Sequence, residues 1–129
     1  MTADSEAGRA FDGFLDAGPP AIAAIARAVR ESVLAGAPNA VETFDPADRL
    51  LAFGTGGGSR RDFWFAIIPH SAHVNLQLAD GADLANPDGR IEGTGKRVRH
   101  VKVRSVEDAR APWLHDVVGR QVAFRTDRA

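Results

Sequence analysis

The apolar run Phe63 to Ile68, FWFAII, is the sequence feature that most restricts the possible folds. Aromatic and β-branched residues fit a pleated strand, and six consecutive apolar positions leave that strand without a polar side. Both of its sides therefore need cover, which is typical of a strand in the middle of a sheet. We expect the remainder of the chain to supply the neighbouring strands and the layer that packs on them.

Four further segments have the length and composition of short strands. They are Val41 to Phe44, Leu50 to Phe53, His73 to Leu78 and Val98 to Val103, and the apolar strand itself is predicted from Asp62 to Ile68. The GTGGGS stretch, Gly54 to Ser59, predicts a hairpin connection, because glycine tolerates turn conformations. Polar and apolar residues alternate in the fourth strand, which predicts one polar and one apolar side.

Both ends of the chain are predicted to be helical. Residues Glu6 to Ala17 carry apolar side chains at helical spacing, and a second helix starts at Pro20, because proline is tolerated in a first helical turn. After the strands, Ser105 has the position of an N-cap, and Pro112 is expected to break the terminal helix. The elements predict one α+β domain, residues 1–129, in which two N-terminal helices and a C-terminal helix pack on an antiparallel sheet of about five strands.

The charge balance limits the partners that such a domain would take. Sixteen Lys and Arg against 17 Asp and Glu give a formal net charge of −1, so no general field attracts nucleic acid or an anionic membrane. The chain has no cysteine, which excludes disulfides and zinc sites built on thiolates. The N-terminal residues lack the basic start and apolar run of a signal peptide, and no apolar run reaches the length of a membrane span, about 18 residues. We expect a cytoplasmic protein.

The segment IEGTGKRVRHVKVRS, Ile91 to Ser105, invites comparison with phosphate-binding loops. A P-loop requires a first glycine separated by four residues from Gly-Lys, and a helix after the lysine. Arg90 stands where the first glycine is needed, and a strand is predicted to follow. We therefore interpret Gly93 to Gly95 as a turn that leads into the strand, with a small anion-binding nest as the alternative.

The basic residues of this segment occupy both faces of the predicted fifth strand, so they cannot line one groove. Aromatic residues for base stacking are missing from the strand, which argues against nucleic-acid binding. Exposed basic side chains instead suit an edge strand, where they discourage pairing with other chains. Four nearby carboxylates offer local neutralisation: Asp80, Asp83, Asp88 and Glu92.

Histidines are the other residues that could carry chemistry. His70 and His73 form an H-x-x-H pair, but the spacing of helical zinc ligands is absent and Pro69 disfavours a helix. A metal site would need a third ligand, for which His100 or a carboxylate is available. We interpret the pair as hydrogen-bonded side chains at a strand end. Ser71 lacks the turn context of a catalytic nucleophile, and the pattern favours a binding domain over an enzyme.

The polar side of the fourth and fifth strands is the predicted binding surface. If the apolar strand neighbours the fourth, large apolar side chains lie beside imidazoles and amides, and something must cover them. We expect the C-terminal helix to provide the cover, with a homodimer partner or a small ligand in a pocket as alternatives. The preferred hypothesis is a binding domain for a small anionic ligand or a partner. Its predicted binding residues are His73, Asn75, Lys96, His100 and Lys102.

A last observation concerns three segments: VETF at Val41 to Phe44, PHSAHVNL at Pro69 to Leu76, and EGTGKRVRHVKVRS at Glu92 to Ser105. Together they resemble the YdhG-like family of bacterial domains, over about half the chain, Asn39 to Ser105. The resemblance implies an α+β domain with helices packed on an antiparallel sheet. One branch of the family is described as frataxin-like iron chaperones. Our preferred hypothesis has no cofactor, and the resemblance implies an iron-binding chaperone as the alternative. The resemblance implies no catalytic residues.

Overall fold

Residues 5–57 and 62–127 are described by the computed structural model, with helices at both ends of the chain and strands between them. The helices are α1 (Glu6–Asp16), α2 (Pro20–Gly36), α3 (Val106–Arg110) and α4 (Pro112–Asp127), and a 3-10 turn covers Gly81–Asp83. The strands are β1 (Val41–Asp45), β2 (Leu50–Gly54), β3 (Phe63–Pro69), β4 (Val74–Leu78) and β5 (Arg99–Val103). The last two residues of the predicted GTGGGS connection lie outside the described residues.

The strands form one antiparallel sheet in sequence order, β1-β2-β3-β4-β5. The apolar strand β3 is central, as its composition predicts, and the basic strand β5 lies at an edge. The predicted α+β class is confirmed, with an antiparallel sheet of five strands in the described residues, two N-terminal helices and a C-terminal helix.

Local sequence signals set the ends of the helices. The backbone N–H of Gly8 donates to Ser5 Oγ at 2.9 Å, which satisfies an otherwise unpaired donor at the start of α1. Ser105 caps α3 as predicted, since its Oγ accepts from the backbone N–H of Asp108 at 3.0 Å. Pro112 starts α4 and separates it from α3, so the predicted break in the terminal helix is confirmed.

One side of the sheet, the helix face, forms the hydrophobic core together with the helices. α2 places the predicted stripe Ile22, Ile25, Ala26, Val29 and Val33 in that core. The sheet contributes alternate side chains of β2 to β5, each 0% or 1% exposed: Leu51, Phe53, Phe65, Ile67, Val74, Leu76, Leu78, Val101 and Val103. Alternation along each strand thus sends every large apolar residue of β4 and β5 to one side.

No helix of the described residues covers the opposite side of the sheet, here called the open face. α4 lies beside α2, where Val118 fits so closely that a Cβ on Gly36 would lie 2.6 Å from it. The expectation that the C-terminal helix covers the polar side is therefore wrong, because its buried residues complete the core against α2 instead. The open face carries Thr43, Ala52, Phe63, Ala66, Ile68, Asn75, Gln77, His100 and Lys102, with His73 just before β4.

A β-bulge changes the expected pattern of the apolar strand. Phe53 pairs with Phe65 and Gly54 pairs with Phe63, so Trp64 is an extra residue in β3. Trp64 packs against the core beside Phe65, whereas Phe63 lies on the open face. Gly54 permits the close approach of the strands, because a Cβ there would lie 1.5 Å from a backbone oxygen just before β3. The strand is covered by helices on one side only, which corrects the prediction of cover on both.

Candidate functional site

The pairing of β4 with β5 brings most of the predicted binding residues together on the open face. Asn75 lies opposite Lys102, and Gln77 lies opposite His100. The amide of Asn75 interacts with the imidazole of His73, which therefore lies on the same side of the sheet. His73, Asn75, His100 and Lys102 are neighbours here, as the alternation of the two strands predicts.

Glu92 connects these polar side chains to the loop that precedes β5. Its backbone pairs with His100 through hydrogen bonds of 2.8 Å and 3.0 Å. Its Oε1 lies 3.4 Å from Lys102 Nζ and 3.8 Å from His100 Nε2, with 42% of the Glu92 side chain exposed. Lys102 therefore has a counter-charge of its own at this end of the open face.

His70 and His73 form a stacked pair at the start of β4. Their ring centroids lie 4.9 Å apart at an interplanar angle of 25°. Burial lowers the pKa of His73, and the charges of His70, Lys102 and Arg104 lower it further. The imidazole of His73 is neutral at neutral pH and offers one hydrogen-bond donor and one acceptor.

The pKa of His100 is shifted in the same direction as that of His73. Burial lowers its pKa, although the nearby carboxylate of Glu92 opposes the shift. Asn75 Oδ1, beside the imidazole of His73, is buried and has no hydrogen bond of ordinary geometry to the described residues. In the described part of the chain, no group of three or more His, Asp or Glu side chains is arranged to hold a metal ion. The iron hypothesis stays a prediction.

Lys96, the remaining predicted residue, lies apart from the other four. It lines a cleft of about 850 Å³ at the end of the open face where β4 ends. Gln77 also lines this cleft and pairs with His100, so the cleft adjoins the polar residues of β4 and β5. Arg97 and Arg125 provide two further cations, and we call this region the cationic cleft.

A buried carboxylate beside the cationic cleft lies outside the set of predicted site residues. Asp80 is 1% exposed, and its Oδ1 accepts a hydrogen bond of 2.8 Å from Arg97 Nη2. Its Oδ2 accepts from Arg125 Nε at 2.5 Å and from Gln121 Nε2 at 2.7 Å. Burial would raise the pKa of Asp80, but the hydrogen bonds from Arg125, Arg97 and Gln121 together hold it below its ordinary value.

The sequence carries little signal for this network. Asp80 stands there among several carboxylates near the basic segment, and its ion pair with Arg97 confirms the expected local neutralisation. Gln121 and Arg125 are 41 and 45 residues from Asp80, so no local pattern links them. The one available hint is that Gln121 continues the buried stripe of α4 that contains Val117, a position at which a polar side chain needs a partner.

Comparison of the chain with protein-family models, with curated proteins and with solved structures finds no match. The resemblance to YdhG-like domains stays a prediction. None of the helices in residues 5–57 and 62–127 combines the length and the apolar character that crossing a bilayer requires. Function is therefore inferred from the open face and the cationic cleft.

Proposed function

We propose that this protein is a binding domain that holds a small anionic ligand on the open face of its sheet. The supporting observation is the position of the helices, which in the described residues pack on the helix face alone. The open face combines partly exposed apolar side chains with amides, imidazoles and basic groups. Such a mixture of apolar surface and a few converging polar groups is typical of small-molecule sites.

Permanent positive charge supports an anion as the ligand. Lys102 lies among the polar residues of β4 and β5, and Lys96 and Arg97 lie at the cationic cleft. Each basic group that a ligand reaches on a partly desolvated surface contributes more than it would in bulk water, because the local dielectric constant is lower. An anion that lies along β4 and β5 therefore meets cations at both of its ends.

The histidines support the same ligand class for a different reason. His73 and His100 are neutral at neutral pH because burial lowers the pKa of both. A neutral imidazole can donate its N–H to an anionic oxygen, and its other nitrogen can accept a hydrogen bond from the protein. The face thus offers neutral donors between the cations, which orient a ligand without adding charge.

An NMR titration of the ¹⁵N-labelled protein tests the proposal with defined probes. Sodium benzoate and phenyl phosphate serve as anions, and benzyl alcohol serves as the neutral control of similar size. We expect saturable amide shifts from the two anions at Asn75, Gln77 and His100, with the amides of α1 and α2 unchanged. Benzyl alcohol is expected to give no saturable shift, because it lacks the charge that the basic groups recognise.

Two results would overturn the proposal. One is the absence of saturable shifts with either anion, or equal shifts with benzyl alcohol. The other is a dimer in analytical ultracentrifugation whose hydrogen exchange shows the amides of Asn75 and His100 protected by the partner. In that case a second copy of the chain, and not a ligand, occupies the open face.

A further inference from the structure

We infer that the anionic group of the ligand binds in the cationic cleft, to Arg97, Arg125 and Lys96, while its apolar part packs on Phe63. This inference rests on the proposed function, because it names the end of the open face that receives the charge. It also replaces the expectation that the polar residues beside Lys102 anchor the anion.

The grouping of the cations distinguishes the two ends of the open face. At the end near Lys102, the carboxylate of Glu92 lies 3.4 Å from the lysine, and Arg104 is a second cation whose charge lowers the pKa of His73. Among the described residues, three cations lie at the cationic cleft together with two carboxylates, the buried Asp80 and the exposed Asp48. The cleft therefore brings three cations to one place, where a single ligand anion can reach more than one of them.

The arginines of the cleft are held in place before a ligand arrives. Asp80 binds Arg97 and Arg125 through separate oxygens, at 2.8 Å and 2.5 Å. A guanidinium has five N–H donors, and one bond to Asp80 engages only part of that set for Arg97. The Arg97 side chain stays 59% exposed although its Nη2 bonds to a carboxylate that is almost fully buried. Such a fixed and accessible guanidinium loses little conformational entropy when it binds an anionic oxygen.

Stabilisation of the fold explains only part of the network around Asp80. Arg125 is 14% exposed and bonds to the same Asp80 oxygen as Gln121, and these contacts tie the end of α4 to the end of β4. Arg97, at the entry to β5, adds a third side-chain donor to Asp80. Lys96 lines the same cleft but takes no part in these contacts. The cleft therefore carries a positive charge that the link between α4 and β4 does not use.

The remaining walls of the cleft define the rest of the ligand. Phe63 is partly exposed on the open face, and Val98 is 39% exposed at the entry to β5. Gln77 adds an amide that can donate or accept a hydrogen bond. A carboxylate or phosphate attached to a flat apolar group matches this combination, since its oxygens meet the cations while its ring meets Phe63.

Isothermal titration with phenyl phosphate, together with single substitutions, tests the inference. We expect Arg97→Gln to raise the Kd about tenfold, as for a lost hydrogen bond between charged groups, and Lys96→Gln to raise it about threefold. Lys102→Gln removes the cation at the other end of the open face, and we expect a smaller rise in the Kd than for Arg97→Gln, because Glu92 already pairs with Lys102. Arg110→Gln removes an exposed cation of α3, outside the proposed site, and is the control whose Kd we expect to stay within about twofold of the parent value. Phe63→Ala is expected to remove the preference for phenyl phosphate over inorganic phosphate.

The outcomes of this experiment distinguish failure of the anchor in the cleft from failure of the proposed function. If phenyl phosphate binds and Lys102→Gln weakens it while Arg97→Gln and Lys96→Gln do not, the anchor in the cleft is overturned and the proposed function stands. If the parent protein binds neither phenyl phosphate nor benzoate, both proposals fall. Thermal unfolding of each variant checks that it is folded, and Lys96, which is exposed, gives a variant whose fold is not at risk.

Discussion

On the helix face, Leu76 and Val101 are completely buried beneath the helices, whereas on the open face their strand neighbours Gln77 and His100 stay partly exposed. Both faces belong to the same strands and share the same backbone hydrogen bonds. The faces differ in which side chains the alternation of the strand presents, and in what lies above them. The comparison separates residues that maintain the fold from residues that are available for binding.

The difference between the two faces also decides how much free energy it costs to place a charged side chain there. Asp80 is directed toward the helix layer and is 1% exposed, so it requires two arginines and a glutamine. Glu92 lies beside the open face with 42% of its side chain exposed, and water provides much of its solvation. Two carboxylates of one chain therefore contribute very differently to stability, although each forms ion pairs.

The largest expected effect comes from removing the buried charge. Asp80→Asn keeps the shape of the side chain but removes the negative charge that Asp80 supplies to the guanidiniums of Arg97 and Arg125. We expect the free energy of unfolding to fall by about 3–5 kcal/mol, measured by urea denaturation at neutral pH.

Glu92→Gln is the matched control for that measurement. Its partners lie 3.4 Å and 3.8 Å away on an exposed surface, so we expect a loss below about 1 kcal/mol. Equal losses in the free energy of unfolding for the two variants would mean that the side of the sheet does not decide the energetic cost of a charge. That result would contradict the comparison of the two faces.

The second prediction compares adjacent residues of β4. Leu76→Ala leaves a cavity in the core, and we expect the free energy of unfolding to fall by about 2–5 kcal/mol. Gln77→Ala changes the open face, and we expect a change within about 0.5 kcal/mol. A loss for Gln77→Ala as large as that for Leu76→Ala would indicate that another copy of the chain or another layer covers the open face.

The smallest expected effect is the pH dependence of the open face. Burial lowers the pKa of His73 and His100 in the folded state, so the unfolded state binds more protons once the pH falls to the ordinary histidine pKa of 6.5. The free energy of unfolding is therefore expected to decrease on acidification from about pH 7 to about pH 5. Urea denaturation at several pH values measures this slope.

The double variant His73→Gln, His100→Gln tests the assignment of that slope. Its stability is expected to depend less on pH across the same interval, because the two groups that gain protons on unfolding are absent. Asp80 does not interfere, since its depressed pKa affects stability only near and below the ordinary value of 3.8. An unchanged slope in the double variant would assign the pH dependence to other groups.

Much of the candidate site is predictable because alternation along a strand is local. The polar pattern of β4 and of β5 places His73, Asn75, His100 and Lys102 on one side, and the register then makes them neighbours. The grouping of Asp80 with Arg125 is not predictable, because it depends on where the end of α4 meets the end of β4. The ends of distant elements leave no periodic signal in the sequence.

The sequence by itself determined the type and order of the elements, the central position of the apolar strand and the sides to which β4 and β5 direct their residues. These properties follow from periodicity, capping and turn chemistry, which act over a few residues. Only the tertiary structure decided that α4 lies beside α2 and leaves the open face uncovered, and that a bulge packs Trp64 against the core. It alone also brought Gln121, Arg97 and Arg125 to Asp80. Those outcomes depend on the packing of segments far apart in the chain, where the fit of particular side chains such as Val118 against Gly36 selects one arrangement.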